Sequence, residues 1–103
     1  LNSVQISGRL VRDPIVKENE NGTAIMATFS VEVSRPKDKK VTDYIDCVAW
    51  SPVADRIAKK CKKDQNVTVY GIIATHLYKR GDDRKRFLEV HVDDVFLSEQ
   101  EEV

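Results

Sequence analysis

Three aromatic residues are placed where a ring could meet a ligand: Tyr44, Trp50 and Tyr78. Tyr44 and Trp50 belong to the stretch V-T-D-Y-I-D-C-V-A-W (41–50), which alternates with the period of a strand. Ile45, Cys47 and Ala49 then share one face, and Tyr44, Asp46, Val48 and Trp50 share the other. The small and branched residues of the first face suit a core. Two rings six residues apart on the second face, roughly 20 Å along a strand, suit a platform. The chemistry open to such rings is stacking on nucleobases, which contributes roughly 1–3 kcal/mol per base and tolerates any base. Phosphates would need cations nearby. Two segments supply them: Arg35, Lys37, Lys39 and Lys40 in 34–40, and Lys79, Arg80, Arg84, Lys85 and Arg86 in 79–86. Packing accounts for a lone ring equally well, since a surface Tyr is commonplace and Trp50 could cap a helix-to-sheet junction.

Other chemistry is poorly supported. His91 and Asp93 fall on one strand face and could act as metal ligands or an acid/base pair, but no third ligand, nucleophile motif or Gly-rich phosphate loop accompanies them. His76 reads as polar surface. Cys47 and Cys61 lack metal or redox spacing and read as reduced small hydrophobes. No catalytic residue, metal or cofactor is implied. Seventeen basic and seventeen acidic residues cancel, so only the distribution of charge can speak about partners. With no apolar run of spanning length and no signal-peptide pattern, the chain is expected to be soluble and cytoplasmic.

The elements that must position the rings follow from the same periodicity. A first strand is expected over about Asn2–Val11, with Val4, Ile6, Gly8 and Leu10 on one face; Gly8 marks a bulge, a bend or a close backbone approach. Asp13-Pro14 ends it, and Lys17–Thr23 reads as a polar loop closed by Asn21-Gly22. The second strand, Ala24–Ser34, turns Ile25, Ala27, Phe29, Val31 and Val33 inward. After the platform strand, Ser51-Pro52 reads as a helix start with a hydroxyl N-cap, and Val53, Ala54, Ile57, Ala58 and Cys61 as a buried stripe. The four lysines at 59, 60, 62 and 63 complement the helix dipole as a solvated face. Asn66–Tyr78 should carry Val67, Val69, Gly71, Ile73 and Leu77 inward, and Tyr70, Ile72, Ala74, His76 and Tyr78 outward. Phe87–Leu97 should carry Leu88, Val90 and Val92 inward, with a bulge at Asp93-Asp94 before Val95 and Leu97 resume the pattern.

Five strands with one α-helix between the third and fourth is the order of an oligonucleotide/oligosaccharide-binding (OB) fold, an all-β Greek-key barrel plugged by its helix. A generic five-stranded barrel such as an SH3-like domain is the alternative. The domain is expected to span 1–98, with 99–103 as a short acidic remnant. Two basic loops flanking a platform of rings favour single-stranded nucleic acid, against a protein- or sugar-binding barrel.

The residues also resemble a known family, the bacterial-type single-stranded-DNA-binding proteins. The likeness rests on L-N-S-V-Q-I-S-G-R-L-V-R-D-P (1–14), N-G-T-A (21–24), A-T-F-S-V-E-V-S-R-P (27–36), D-Y-I-D-C-V-A-W (43–50), A-D (54–55), V-T-V-Y-G (67–71), T-H-L-Y (75–78) and F-L-E-V (87–90), in that order and spacing. It implies sequence-independent coating of single-stranded DNA in replication, repair and recombination, by a homotetramer that pairs barrels through first strands and stacks dimers through sheet surfaces. Tyr44, Trp50 and Tyr78 match positions where the family places base-stacking aromatics. The phosphate contacts are then expected from Arg35, Lys37, Lys39, Arg80, Lys85 and Arg86. Lys37 stands where the family has a further stacking ring, and Asp46 where it often has a basic or neutral residue. The flexible tail with an acidic tip that recruits replication and repair proteins does not follow Ser98 in S-E-Q-E-E-V. With Leu1 as the first residue, that suggests a chain trimmed at both ends; a naturally short cellular paralogue or phage version, without such recruitment, is the alternative. The bacterial nucleoid or a phage-infected cell is the expected setting. A dimeric primosome-type replication-restart adaptor of the same fold is the second functional reading.

Overall fold

The computed structural model describes residues 1–98; the expected acidic remnant at 99–103 lies outside the described residues. Alternating apolar sequence becomes strand throughout: β1 (Val4–Leu10), β2 (Ile15–Glu18), β3 (Ala24–Arg35), β4 (Asp38–Trp50), β5 (Asn66–Arg80) and β6 (Asp83–Leu97), with α1 (Val53–Lys60) between β4 and β5. The sheet runs β1-β5-β6-β4-β3-β2, and β1 also pairs β3. Five strands therefore close on themselves as an OB barrel, and β2 is added at the edge of β3. Every pairing is antiparallel except β4 with β6, a parallel seam at Cys47↔Val90 and Val48↔His91. Among the described residues no helix is long and apolar enough to cross a membrane.

The core follows the expected inward set in the body of the barrel. Leu10, Val31, Val67, Val69 and Val90 are its largest fully buried side chains, joined by Ala27, Phe29, Cys47, Ala49 and Val92. Gly8 is a close approach of two backbones, since a Cβ there would lie 2.2 Å from the Glu32 carbonyl oxygen. The bulge near Asp93 is also present, with Tyr70 opposite Asp94 but Gly71 opposite Val92.

Several expectations are corrected. Ile15–Glu18 is a strand because Val16 packs on the core opposite Ala27; the turn shortens to 19–23, where the Asn19 side chain accepts from the Asn21 and Thr23 amides at 2.9 and 3.0 Å. Ile25 is exposed and Ala24 buried, because Glu18 pairs with Ala24 and leaves Ile25 as a bulge residue. Ile73, Leu77, Leu88 and Leu97 are exposed too. For the first three the reason is topological. Among the described residues β1 pairs with β5 no further than Val4↔Gly71, beyond which only the Asn2 side chain reaches the Ile73 backbone, and β4 pairs with β6 only at Val90 and His91, so the rest of β5 and β6 runs on as a two-stranded arm with no strand across its inner face. Val48 points outward as expected yet is only 3% exposed, lying between Thr28 and His91 on the neighbouring strands.

The helix lies against β3, β4 and β6. It buries Ala54 and Ile57, followed by Cys61, while Ala58 is exposed. Pro52, not Ser51, occupies the N-cap, and among the described residues no side-chain hydrogen bond caps that end of the helix. Ser51 instead extends the sheet, donating its amide to the Ile25 carbonyl at 3.1 Å. Lys59 pairs with Asp55 at 2.8 Å, which fits the solvated-face reading of at least that lysine.

Candidate nucleic-acid interface

The pairing register assembles one outward surface across four strands. Glu32, Ser30, Thr28 and Met26 of β3 stand opposite Tyr44, Asp46, Val48 and Trp50 of β4. The seam places Val48 beside His91, which carries the same face onto Glu89, Phe87 and Lys85 of β6 and onto Ile72, Ala74, His76 and Tyr78 of β5. The three expected rings thus share a continuous face. Tyr44 is 63% exposed, Trp50 47% and Tyr78 59%.

Each ring is held differently. Trp50 meets His91 edge-on, with centroids 4.8 Å apart and planes at 79°, and His91 Nε2 lies 2.9 Å from Glu89 Oε1. The indole therefore packs on the outward face of β6. His91 takes Glu89 as its partner, not Asp93. Among the described residues no cluster of three His, Cys, Asp or Glu is placed to hold a metal. Tyr78 lies on the arm between His76 at 6.1 Å and Phe87 at 6.3 Å, centroid to centroid.

The expected cations divide. Lys37 and Lys39 are exposed at the β3–β4 tip, where pairing jumps from Ser34↔Thr42 to Arg35↔Asp38. Arg80 and Lys85 share the face of Tyr78, Lys85 directly opposite it. Arg86 pairs with Leu77 and so lies on the reverse face of the arm. Arg35 makes two hydrogen bonds to Asp43, at 2.9 and 3.1 Å, on the side of β4 away from Tyr44. That hydrogen bond and charge hold the Asp43 carboxyl below the usual carboxylate range. Among the described residues, Lys37, Lys39, Arg80, Lys85 and Arg86 make no ion pair.

Asp46 lies between the rings of β4, as expected, and accepts a hydrogen bond from Ser30 Oγ at 2.8 Å. It helps line a shallow hollow with Thr28, Trp50, His76 and Arg12. The carboxyl group sits on the ring-bearing face, so if that face takes a nucleic acid, Asp46→Asn should tighten its binding by up to about 1 kcal/mol, the interaction of two unit charges roughly 4 Å apart in water. The gain should vanish in high salt, and titrations at two ionic strengths would show it. An asparagine can keep the Ser30 hydrogen bond, so the fold should be unaffected.

Sequence reasoning missed Arg12, His91 as the neighbour of Trp50, and Phe87. The signal for Phe87 was present: Leu88 and Val90 inward imply Phe87 and Glu89 outward. Beneath the face, burial pushes the Cys47 thiol up to about 12, with the Asp46 charge adding to the effect. Burial raises Cys61 as well. Both therefore remain neutral thiols at ordinary pH.

An OB barrel with rings across β4 and the arm, and cations at its two tips, is an arrangement suited to nucleic acid. Comparison with known proteins narrows it. Residues 1–98 match the single-strand binding protein family, and the chain belongs to that family. It is 36% identical over 92 residues to the single-stranded DNA-binding protein of Halalkalibacterium halodurans, covering 85% of this chain and 54% of that one. It is 36% identical over 100 residues to the Oceanobacillus iheyensis protein (92% and 62% covered). With single-stranded DNA-binding protein A of Bacillus subtilis the identity is 33% over 100 residues (92% and 58% covered). The chain thus spans 54–62% of the length of these relatives. In three dimensions it resembles a Plasmodium falciparum SSB solved in complex with single-stranded DNA, with a TM-score of 0.79, 24% identity and 96% of each chain covered; that likeness supports the barrel assignment.

Proposed function

We propose that this chain binds single-stranded DNA without sequence preference and takes no chemical step on it. The observation that carries this reading is the single outward face bearing Tyr44, Trp50 and Tyr78. Bases stack on the rings. Lys37, Lys39, Arg80 and Lys85 hold phosphates, while Arg35 and Arg86 lie off the ring face and add to the positive field at the two tips. The names of the bacterial relatives support the same ligand. The cellular role follows from the binding: protection of exposed strands during replication, repair and recombination, in the cytoplasm at the nucleoid.

The assembled form is a homotetramer. Two features support it. Among the described residues, Val4–Gly8 of β1 pairs with β5 along one edge and leaves the other unpaired, and Tyr70, Ile72 and Phe96 are exposed, with Tyr70 and Phe96 in edge-to-face contact at 5.6 Å. Exposed apolar side chains grouped on a sheet favour a partner. Sedimentation separates this from a dimeric restart adaptor, which the ring-bearing face does not favour.

Titration with oligo-dT tests the ligand. Trp50 is the chain's single tryptophan, so its emission reports on the face directly and should be quenched in low salt. Affinity should then fall with a log–log slope of about −0.7 per phosphate neutralised. Unchanged emission with no measurable binding would refute the proposal.

A further inference from the structure

We propose that Phe87 is a fourth base-stacking ring, forming with Tyr78 a corner on the arm that receives two successive bases of one strand. The inference rests on the single-stranded DNA reading and adds a contact to it. Phe87 stands directly across from His76 and diagonally from Tyr78 on the outward face of the β5–β6 arm. It is 50% exposed, a large apolar surface to leave in water on a ribbon that lacks a core. Its ring meets Tyr78 at 89°, with centroids 6.3 Å apart.

That angle decides what the pair can do. Two rings stacked in parallel would cover one face of each. Rings at a right angle keep faces free, and a free π-face takes any base. One base cannot lie flat on both, so neighbouring bases must, and the strand turns sharply as it passes along the arm. The charges around the corner suit that turn. Lys85 stands opposite Tyr78, and Arg80 follows on the same face, with Asp83 opposite it at the tip. These five side chains line one open cleft, in which two cations outnumber one carboxylate where the phosphates would pass. The simpler account is that Phe87 is a cross-strand partner that stiffens the hairpin. That account predicts a cost in stability and none in affinity.

The test compares Phe87→Leu and Phe87→Trp with the parent chain, using oligo-dT long enough to reach from Trp50 to the arm. Trp50 emission serves the parent and Phe87→Leu; labelled-oligonucleotide anisotropy serves all three. Phe87→Leu should weaken binding by about 5- to 150-fold, the range expected for one lost base stack, with an unchanged unfolding midpoint. Phe87→Trp should restore or exceed the parent affinity. Parent-level affinity in Phe87→Leu, whatever its stability, would overturn the fourth ring and leave the parent's DNA binding standing. If the parent chain itself binds no oligo-dT, the functional reading fails first and this inference with it.

Discussion

Replacing Tyr44 and Trp50 together by alanine is expected to weaken oligo-dT binding by about 2–6 kcal/mol, two base stacks at roughly 1–3 kcal/mol each. The two side chains lie on one face of β4, separated by Asp46 and Val48, so they should meet different bases. Sites far apart with no shared partner add, and the double variant should lose about the sum of the single losses. Neither ring belongs to the buried core cluster, so the barrel should remain folded. Trp50 does hold the edge of His91, and part of its own loss will come from freeing that imidazole. Anisotropy of a labelled oligonucleotide measures the effect, with circular dichroism as the control for folding. A double variant with undiminished affinity would reduce both rings to packing and would require another route for the DNA.

A second large effect concerns the frame beneath the rings. Gly71→Ala should destabilise the fold by about 3 kcal/mol or more, at or beyond the upper end of ordinary overpacking. A Cβ at this position would lie 2.0 Å from the His91 carbonyl oxygen. The obstacle is backbone, so no rotamer change can relieve it, and the β5–β6 ladder would have to open at its bulge. Gly81→Ala provides the contrast. Gly81 has φ +63 at the arm's tip and no atom within 4 Å of a new Cβ, so it should cost only the left-handed backbone penalty of roughly 1 kcal/mol. Denaturant midpoints at constant m-value distinguish the two. Equal midpoints would mean that the Gly71 backbone can move away from His91 at little cost.

The sequence was most legible where alternation alone decides the outcome. Ile45, Cys47 and Ala49 against Tyr44 and Trp50, or Val67 and Val69 against Tyr70, needed only the period of two and the expectation of a core. Alternation states which side a residue faces, however, and not whether anything covers that side. Ile73, Leu77 and Leu88 keep the inward side but extend past the barrel along the arm, and Val48 keeps the outward side yet is enclosed by Thr28 and His91. Ile25 was lost to a bulge, which changes the face without changing the sequence pattern. The cations show the same limit. A basic segment can be read from the chain, but the Arg35–Asp43 pair depends on how β4 returns beside β3; the side taken by Arg86, by contrast, was legible, because it alternates in step with Leu88 and Val90.

The parallel seam between β4 and β6 has a consequence for how the binding face comes into being. The β3–β4 and β5–β6 ribbons are hairpins, each able to zip from its own turn. One carries Tyr44 and Trp50, the other Tyr78 and Phe87; among the described residues their backbones pair only at Cys47↔Val90 and Val48↔His91, with Trp50 packed on His91 beside that seam. Neither ribbon carries all four rings by itself. On a growing polypeptide, the complete face must wait until β6 has been synthesised and has docked beside β4. On the proposed reading, a strand of DNA lying across both ribbons would act as a latch: bound to the closed barrel and not to the open one, it would favour closure by mass action.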